Sequence, residues 1–309
     1  MKIGVDLGGH TLTAALVSYD GRKPRIERID KSDTPRSRSV REIMEAIAFA
    51  AVRLSEGYEI EAVGVAVPGM LTADRRRALR LPNFPVEWDD LDVVNAIGAA
   101  LAEHGIRAPV GIENDANCYA LGEGSAGEAV GISDFLTFTM GTGIGCGIVA
   151  GGRLLTGAHG MAGEGGHVVV RGDVPCGCGG KGHAETLAAA DGTSARALAK
   201  GLPEDFEKLW KMRGDPAADE VLDVTIDAMA RTVATACHLL DPQIVIIGGG
   251  MSRAEGIGDA LRSMSVEYLS RPFKELLDIK ISRLGNEAAL YGAASIDGTA
   301  AAIGARKID

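Results

Sequence analysis

Aromatic residues are scarce: Phe, Trp and Tyr make up 4% of the chain. The core must therefore be assembled from Ala, Val, Leu and Ile, as in many α/β proteins. No apolar run approaches the roughly 20 residues that a membrane-spanning helix needs. Cysteine is also sparse, five in 309 residues, unevenly placed. That argues against a disulfide framework and predicts a reduced, cytoplasmic protein. Positive charge is in deficit. With 32 Lys and Arg against 42 Asp and Glu, the net charge is −10, so neither nucleic acid nor an anionic membrane is the expected partner. The opening MKIGVDLGGH enters a strand pattern without a basic and then apolar leader, so no signal peptide is expected.

Glycine, by contrast, is plentiful, and it punctuates alternating strand and helix patterns. MKIGVDLGGHTLTAALVSYDG reads as strand, Gly turn, strand and a second turn at Asp20-Gly21. Apolar residues at 40, 43, 44, 47, 51 and 54 line one face of a helix that stops at Gly57. IEAVGVAVPG predicts a buried strand stopped by Pro68-Gly69, and LPNFPVEW a loop. A helix over residues 90–104, the strand PVGIEN and a helix opening at Asn114-Asp115 follow. FLTFTMGTGIGCGIVAGGRLL then repeats the opening pattern, with Gly141 in the place of Gly8 and Gly152 in that of Gly21. This is either an internal duplication or the common look of Gly-turn hairpins. VLDVTIDAMARTVATACHLLDP predicts an amphipathic helix ending at Asp241-Pro242, QIVIIGGGM a buried strand, and NEAALYGAASIDGTAAAI an Ala-rich helix. The alternation predicts an α/β protein of two lobes with a cleft between them. The smaller lobe is expected over residues 1–117 with 297–309, the larger over 118–296.

Gly8-Gly9 and Gly141-Thr142-Gly143 each lie between two strands, and Gly248-Gly249-Gly250 follows a buried one. Such turns either reverse the chain or let backbone N–H groups approach an anion, with the Thr142 hydroxyl as a further donor. No G-x-G-x-x-G dinucleotide pattern falls in these turns, and no Walker A sequence is present. Asp6 ends an apolar strand pattern. It either satisfies turn amides or holds Mg2+ through water beside a phosphate. Asn114 and Asp115 fall at a strand-to-helix junction, where either can cap the helix; a carboxylate there is also where a base for a substrate hydroxyl would stand.

The stretch GMAGEGGHVVVRGDVPCGCGGKGHAE gathers His167, Cys176, Cys178 and His183. A closed Cys2His2 set suits a structural, tetrahedral zinc, and flanking glycines permit the short C-x-C spacing. The alternative is a Gly-rich loop with incidental donors. Glu164 and Glu185 flank the cluster; on a pinned loop they suit the vicinal hydroxyls of a sugar. Cys118, Cys146 and Cys237 fall in helix or strand patterns and are expected in the core.

Taken in order, DLGGHT, GVAVPG, LPNFPVEW, ENDAN, GTGIGCG, GMAGEGGH, CGCGGKGHAE and IIGGG resemble the motifs of the ROK family (repressors, open reading frames, kinases) over nearly the whole chain. The resemblance implies the two-lobed actin-like ATPase (ribonuclease H-like) fold and ATP-dependent phosphorylation of a hexose, most often glucose at its 6-hydroxyl. It implies Asp115 as the base, and Asn114, Glu164, His167 and Glu185, with Gly69 and Asn83, as sugar-binding residues. Asp6, Gly8, Gly9, Thr11, Gly141, Thr142 and Gly143 would serve the ATP phosphates and Mg2+, and Gly249 and Gly250 would lie by the nucleotide. His167, Cys176, Cys178 and His183 would hold a structural Zn2+, the second ring nitrogen of His167 reaching the sugar. A homodimer is implied as well.

Two positions depart from the family pattern. His183 stands where a third zinc cysteine is usual, and imidazole also ligates zinc. His10 and Thr11 replace the usual Thr and Lys, so whatever those supplied to ATP must come from elsewhere. A kinase for allose, fructose, mannose, N-acetylglucosamine or N-acetylmannosamine, or a catalytically impaired sugar-binding homologue, is the alternative. A repressor is not expected, since no helix-turn-helix precedes the first strand.

Overall fold

In the computed structural model, which describes residues 1–21, 23–81 and 84–296, the opening apolar pattern becomes a hairpin. β1 (Lys2–Leu7) and β2 (Thr11–Asp20) pair antiparallel around Gly8-Gly9, and β3 (Lys23–Asp33) pairs antiparallel with β2. α1 (Val40–Ser55) starts at Ser39, whose hydroxyl accepts from the Glu42 N–H, and buries Ile43, Met44, Ile47 and Leu54. β4 (Ala62–Val67) lies parallel to β1, and β5 (Met70–Leu71) with β6 (Ala78–Arg80) forms a small ribbon. α2 (Val93–Glu103) leads to β7 (Val110–Asn114), parallel to β4, and α3 (Asp115–Ala126) follows at once.

The second sheet contains β8 (Phe135–Met140), β9 (Ile144–Ala150) and β10 (Arg153–Leu154). Four helices come next: α4 (Ala184–Ala188), α5 (Ala190–Ala199), α6 (Phe206–Trp210) and α7 (Pro216–Leu240). β11 (Ile244–Gly248) lies parallel to β8; α8 (Ile257–Tyr268) and α9 (Arg271–Leu276) precede β12 (Ile279–Ile281), parallel to β11. α10 (Glu287–Ala294) closes the described chain. The strand orders are β3-β2-β1-β4-β7 and β10-β9-β8-β11-β12. Each strand of one sheet has a counterpart at the same place in the other, as a duplication requires.

Two compact units result. Among the described residues, one holds 1–131, 147–162 and 286–296, the other 132–146 and 163–285. This division differs from the one expected at 117/118, and the reason lies in α3. A methyl group added at Gly292 of α10 would overlap the Cys118 carbonyl of α3, and one at Gly122 of α3 would overlap the Ala288 carbonyl of α10. Bare backbone on both helices gives a close approach that keeps α3 and α10 in the first unit. Residues 297–309, expected in the smaller lobe, lie outside the described residues.

Local differences have local causes. β3 gave no sequence signal because it is mostly exposed and charged. The expected loop at LPNFPVEW contains a one-turn 3-10 helix, Val86–Trp88, anchored by a fully buried Trp88 whose indole N–H donates to the Arg38 carbonyl at 2.8 Å. α7 begins before Val221 because Asp215 caps it and Pro216 takes the first turn. No helix among the described residues is long and apolar enough to cross a membrane.

Candidate active site

In the first unit, β1, β4 and β7 run parallel, so their carboxyl ends share one edge, the edge where open α/β sheets bind ligands. Three turns leave that edge. Asn114 is the N-cap of α3, its side-chain oxygen accepting from the Asn117 N–H at 3.1 Å. Its amide also donates to the Gly69 carbonyl at the end of β4, 3.1 Å away. The capping role therefore falls to Asn114, and Asp115 occupies the first turn, with one carboxylate oxygen accepting from the Ala116 N–H at 2.9 Å.

Asp6 shares this neighbourhood. Burial, and secondarily the charge of Asp115, push its carboxyl from 3.8 up to about 7. Two carboxylates so arranged suit a cation, which would relieve their repulsion; Mg2+ would be held on the Asp6 side. Beside it, the β1–β2 turn is closed by the Gly8 N–H donating to the Thr11 carbonyl at 3.0 Å. The Thr34 hydroxyl donates to the Gly8 carbonyl at 2.7 Å and the Arg38 guanidinium to the Gly9 carbonyl at 2.9 Å. Neither Thr34 nor Arg38 carried a motif in the sequence; both act on the turn from beyond β3, a contact only the fold creates. Asn83 lies outside the described residues.

In the second unit, the Gly141 N–H donates to the Gly143 carbonyl at 3.0 Å, shaping the equivalent turn, and the Thr142 side chain is exposed. Glu185 binds this turn directly, accepting from the Ile144 N–H at 2.9 Å. Gly249, with φ of +84°, lies against Met140 so closely that a Cβ would stand 2.7 Å from the Met140 nitrogen. Gly141, Thr142, Gly143, Gly249 and Glu185 thus converge at one end of β8 and β11.

The His/Cys cluster also assembles here. One ligand atom from each of His167, Cys176, Cys178 and His183 lies within 4.8 Å of the others. A tetrahedral zinc with roughly 2.0–2.3 Å bonds needs donors about 3.3–3.8 Å apart, a short contraction away. Cys178 Sγ is 3.2 Å from His183 Nδ1. His167 Nδ1 is buried without a partner among the described residues, an orphan that a metal would satisfy. The other nitrogen, Nε2, lies 3.7 Å from a Glu164 oxygen. The donor set therefore fits zinc. Burial raises the Glu164 carboxyl above its usual range; His167 opposes this and Glu185 adds to it. Cys118, Cys146 and Cys237 are buried, as expected of core residues.

A further pair was not legible. Glu113, the last residue but one of β7, is paired with Arg75 at 2.9 Å, and both are almost wholly buried. Arg75 sits among three consecutive arginines that read as a solvated turn.

Comparison with known proteins agrees in extent and in kind. The model of the ROK family matches residues 2–299. A glucokinase of Thermotoga maritima is 34% identical, over 95% of this chain and 96% of that one. A ROK hexokinase from Thermus thermophilus superposes with a TM-score of 0.81 at 34% identity, covering 95% of this chain and 96% of its own. A ROK family glucokinase from Streptomyces griseus, solved in complex with glucose and AMPPNP, gives a TM-score of 0.80 at 29% identity, covering 95% and 98%.

Proposed function

The chain belongs to the ROK family and has its actin-like ATPase fold, and from that premise we propose that it phosphorylates glucose at the 6-hydroxyl. The broader activity is that of an ATP-dependent hexose kinase, in keeping with the glucokinase relative and the AMPPNP-bound neighbour. One observation carries the assignment of roles: Asn114 caps α3, so Asp115 stands at the β7–α3 junction without serving as the cap.

In the proposed reaction Asp115 takes the proton of the attacking hydroxyl. The hydroxyl oxygen forms a bond to the γ-phosphorus while the bond to the β-bridging oxygen breaks, and ADP leaves. Asn114 and Gly69, and likewise Glu164, His167 and Glu185, are the residues we assign to the sugar, as the family resemblance implies. The Gly8-Gly9 and Gly141-Thr142-Gly143 turns present backbone N–H groups to the phosphates, and Gly249 and Gly250 serve the nucleotide. Mg2+ near Asp6 would neutralise phosphate charge when bound. Zinc on His167, Cys176, Cys178 and His183 would pin the loop that carries Glu164 and leads into α4, with Glu185 in its first turn, without entering the chemistry.

A hexose panel with ATP, read by coupled ADP release, tests this. Glucose is expected to give the highest kcat/KM. Preference for allose, mannose, fructose or an N-acetylhexosamine would replace the sugar and keep the class. Sugar binding with no ADP release from any hexose would overturn the kinase reading.

A further inference from the structure

Arg75 is the one arginine of its run that turns inward. Thr72 and Arg77 close the β5–β6 turn, the Thr72 N–H donating to the Arg77 carbonyl at 3.0 Å. Arg75 within it takes a left-handed backbone, φ +56°, unusual for a long side chain. Its neighbours Arg76 and Arg77 pair with Asp92 and Asp90 at the surface, whereas Arg75 is 7% exposed. The backbone conformation sends its guanidinium back beneath the end of β7.

There its donors divide among three segments. Nε lies 2.9 and 3.0 Å from the two carboxylate oxygens of Glu113. Nη1 donates to the Thr72 carbonyl at 3.2 Å and to the Gly160 carbonyl at 3.0 Å. Gly160 is fitted to this contact: a Cβ there would overlap Nη1 and stand 3.1 Å from the Leu71 carbonyl oxygen. Glu113 in turn accepts from the Asn114 N–H at 3.0 Å and from the Asn117 side-chain amide at 3.1 Å. Its carboxylate therefore braces the first turn of α3 from below, at the residues given the reaction.

A buried ion pair is weak evidence for stability, since apolar residues of similar volume commonly do as well. Its use here is directional. An apolar pair could fill the space but could not hold the Asn114 N–H, the Asn117 amide and the Gly160 carbonyl on one rigid fork. We propose that Arg75 is a positioning residue for phosphoryl transfer: through Glu113 it fixes Asn114 and Asp115, and through Gly160 it fixes the chain that runs on to Glu164. The inference rests on the kinase reading above and assigns no contact with substrate to Arg75 itself.

The test compares wild type, Arg75→Lys, Arg75→Met and the double variant Arg75→Met with Glu113→Gln, measuring kcat, both KM values and the urea midpoint of each. Arg75→Met strands a buried carboxylate and is expected to lose both stability and turnover. The double variant removes that charge and should regain most of the stability. Its kcat is nevertheless expected to stay about tenfold or more below wild type, with KM for ATP within about twofold, because misplacement alone is costly. Arg75→Lys keeps the charge without the fork and should resemble the double variant in turnover. Wild-type kcat in the double variant, or kcat that tracks the urea midpoint across the series, would make the role structural and overturn the proposal. An inactive wild type would remove the kinase reading and this inference together; an active one with an indifferent Arg75 removes only the latter.

Discussion

Replacing Asp6 by Asn should make the protein more stable and less active, and the pH at which it does so follows from the site. Asp6 titrates near 7 in the native protein against 3.8 ordinarily, chiefly through burial and then through the charge of Asp115. The native state therefore binds this proton more tightly than the unfolded chain. Stability from the protonated carboxyl is fully present below about pH 4 and is lost as pH rises through 7. A difference of about three pH units corresponds to roughly 4 kcal/mol; partial solvent access to Asp6 brings the expectation to about 2–4 kcal/mol. Asp6→Asn carries no ionisable group and escapes this loss. Urea unfolding without nucleotide or divalent cation is the assay. Wild type and variant should be of similar stability at pH 4 and separate by about 2–4 kcal/mol at pH 8, in favour of the variant. Kinase turnover at pH 8 should move the opposite way, since the carboxylate is the form that serves a cation. Equal stabilities at pH 8, or a gap that widens toward acid pH, would refute the burial argument.

The remaining expectations concern other parts of the same machinery. Asp115→Asn should lower kcat by about 10²-fold or more with KM for hexose little changed, read by ADP release; near-normal turnover would remove it as the base. Metal analysis of the purified protein should find about one zinc per chain, and His183→Ala should lower that content and raise KM for hexose more than KM for ATP. Gly292→Ala places a methyl group against the Cys118 carbonyl and should cost about 3 kcal/mol in urea unfolding; a cost below about 1 kcal/mol would mean that α10 and α3 separate easily.

The sheet strands that bury apolar residues were legible as elements because periodicity and glycine punctuation report burial directly. β1, β4, β8 and β11 are nearly all buried, and each shows as an apolar run ended by a turn signal. β3 is charged along its length and was invisible, since nothing but pairing with β2 makes it a strand. The site divides in the same way. Motif residues such as Asp115 and the His/Cys cluster stand out because their residue types are costly or unusual where they fall. Arg75, Thr34 and Arg38 do not, because their partners are backbone carbonyls or a carboxylate far along the chain. A run of arginines beside a turn looks solvated until the left-handed backbone at Arg75 shows which one is not.

The two halves share a strand order but not a chemistry, and the difference has an electrostatic reason. Aligning Gly8 with Gly141 places Thr139 of β8 opposite Asp6 of β1. The place of β7, which ends at Asn114 and leads straight into Asp115, is taken by β12, after which comes Ser282. The acidic pair thus exists in one copy only. Burial, and then the charge of Asp115, already raise the Asp6 carboxyl to about 7, so a second such pair would add a further carboxylate that is costly to ionise. The second copy keeps what is useful without charge: a glycine turn of backbone N–H groups, tied by Glu185 to the helix that follows the His/Cys cluster. Glu185 itself is committed to the Ile144 N–H. A turn of backbone N–H groups without the acidic pair is the better suited of the two to an anion.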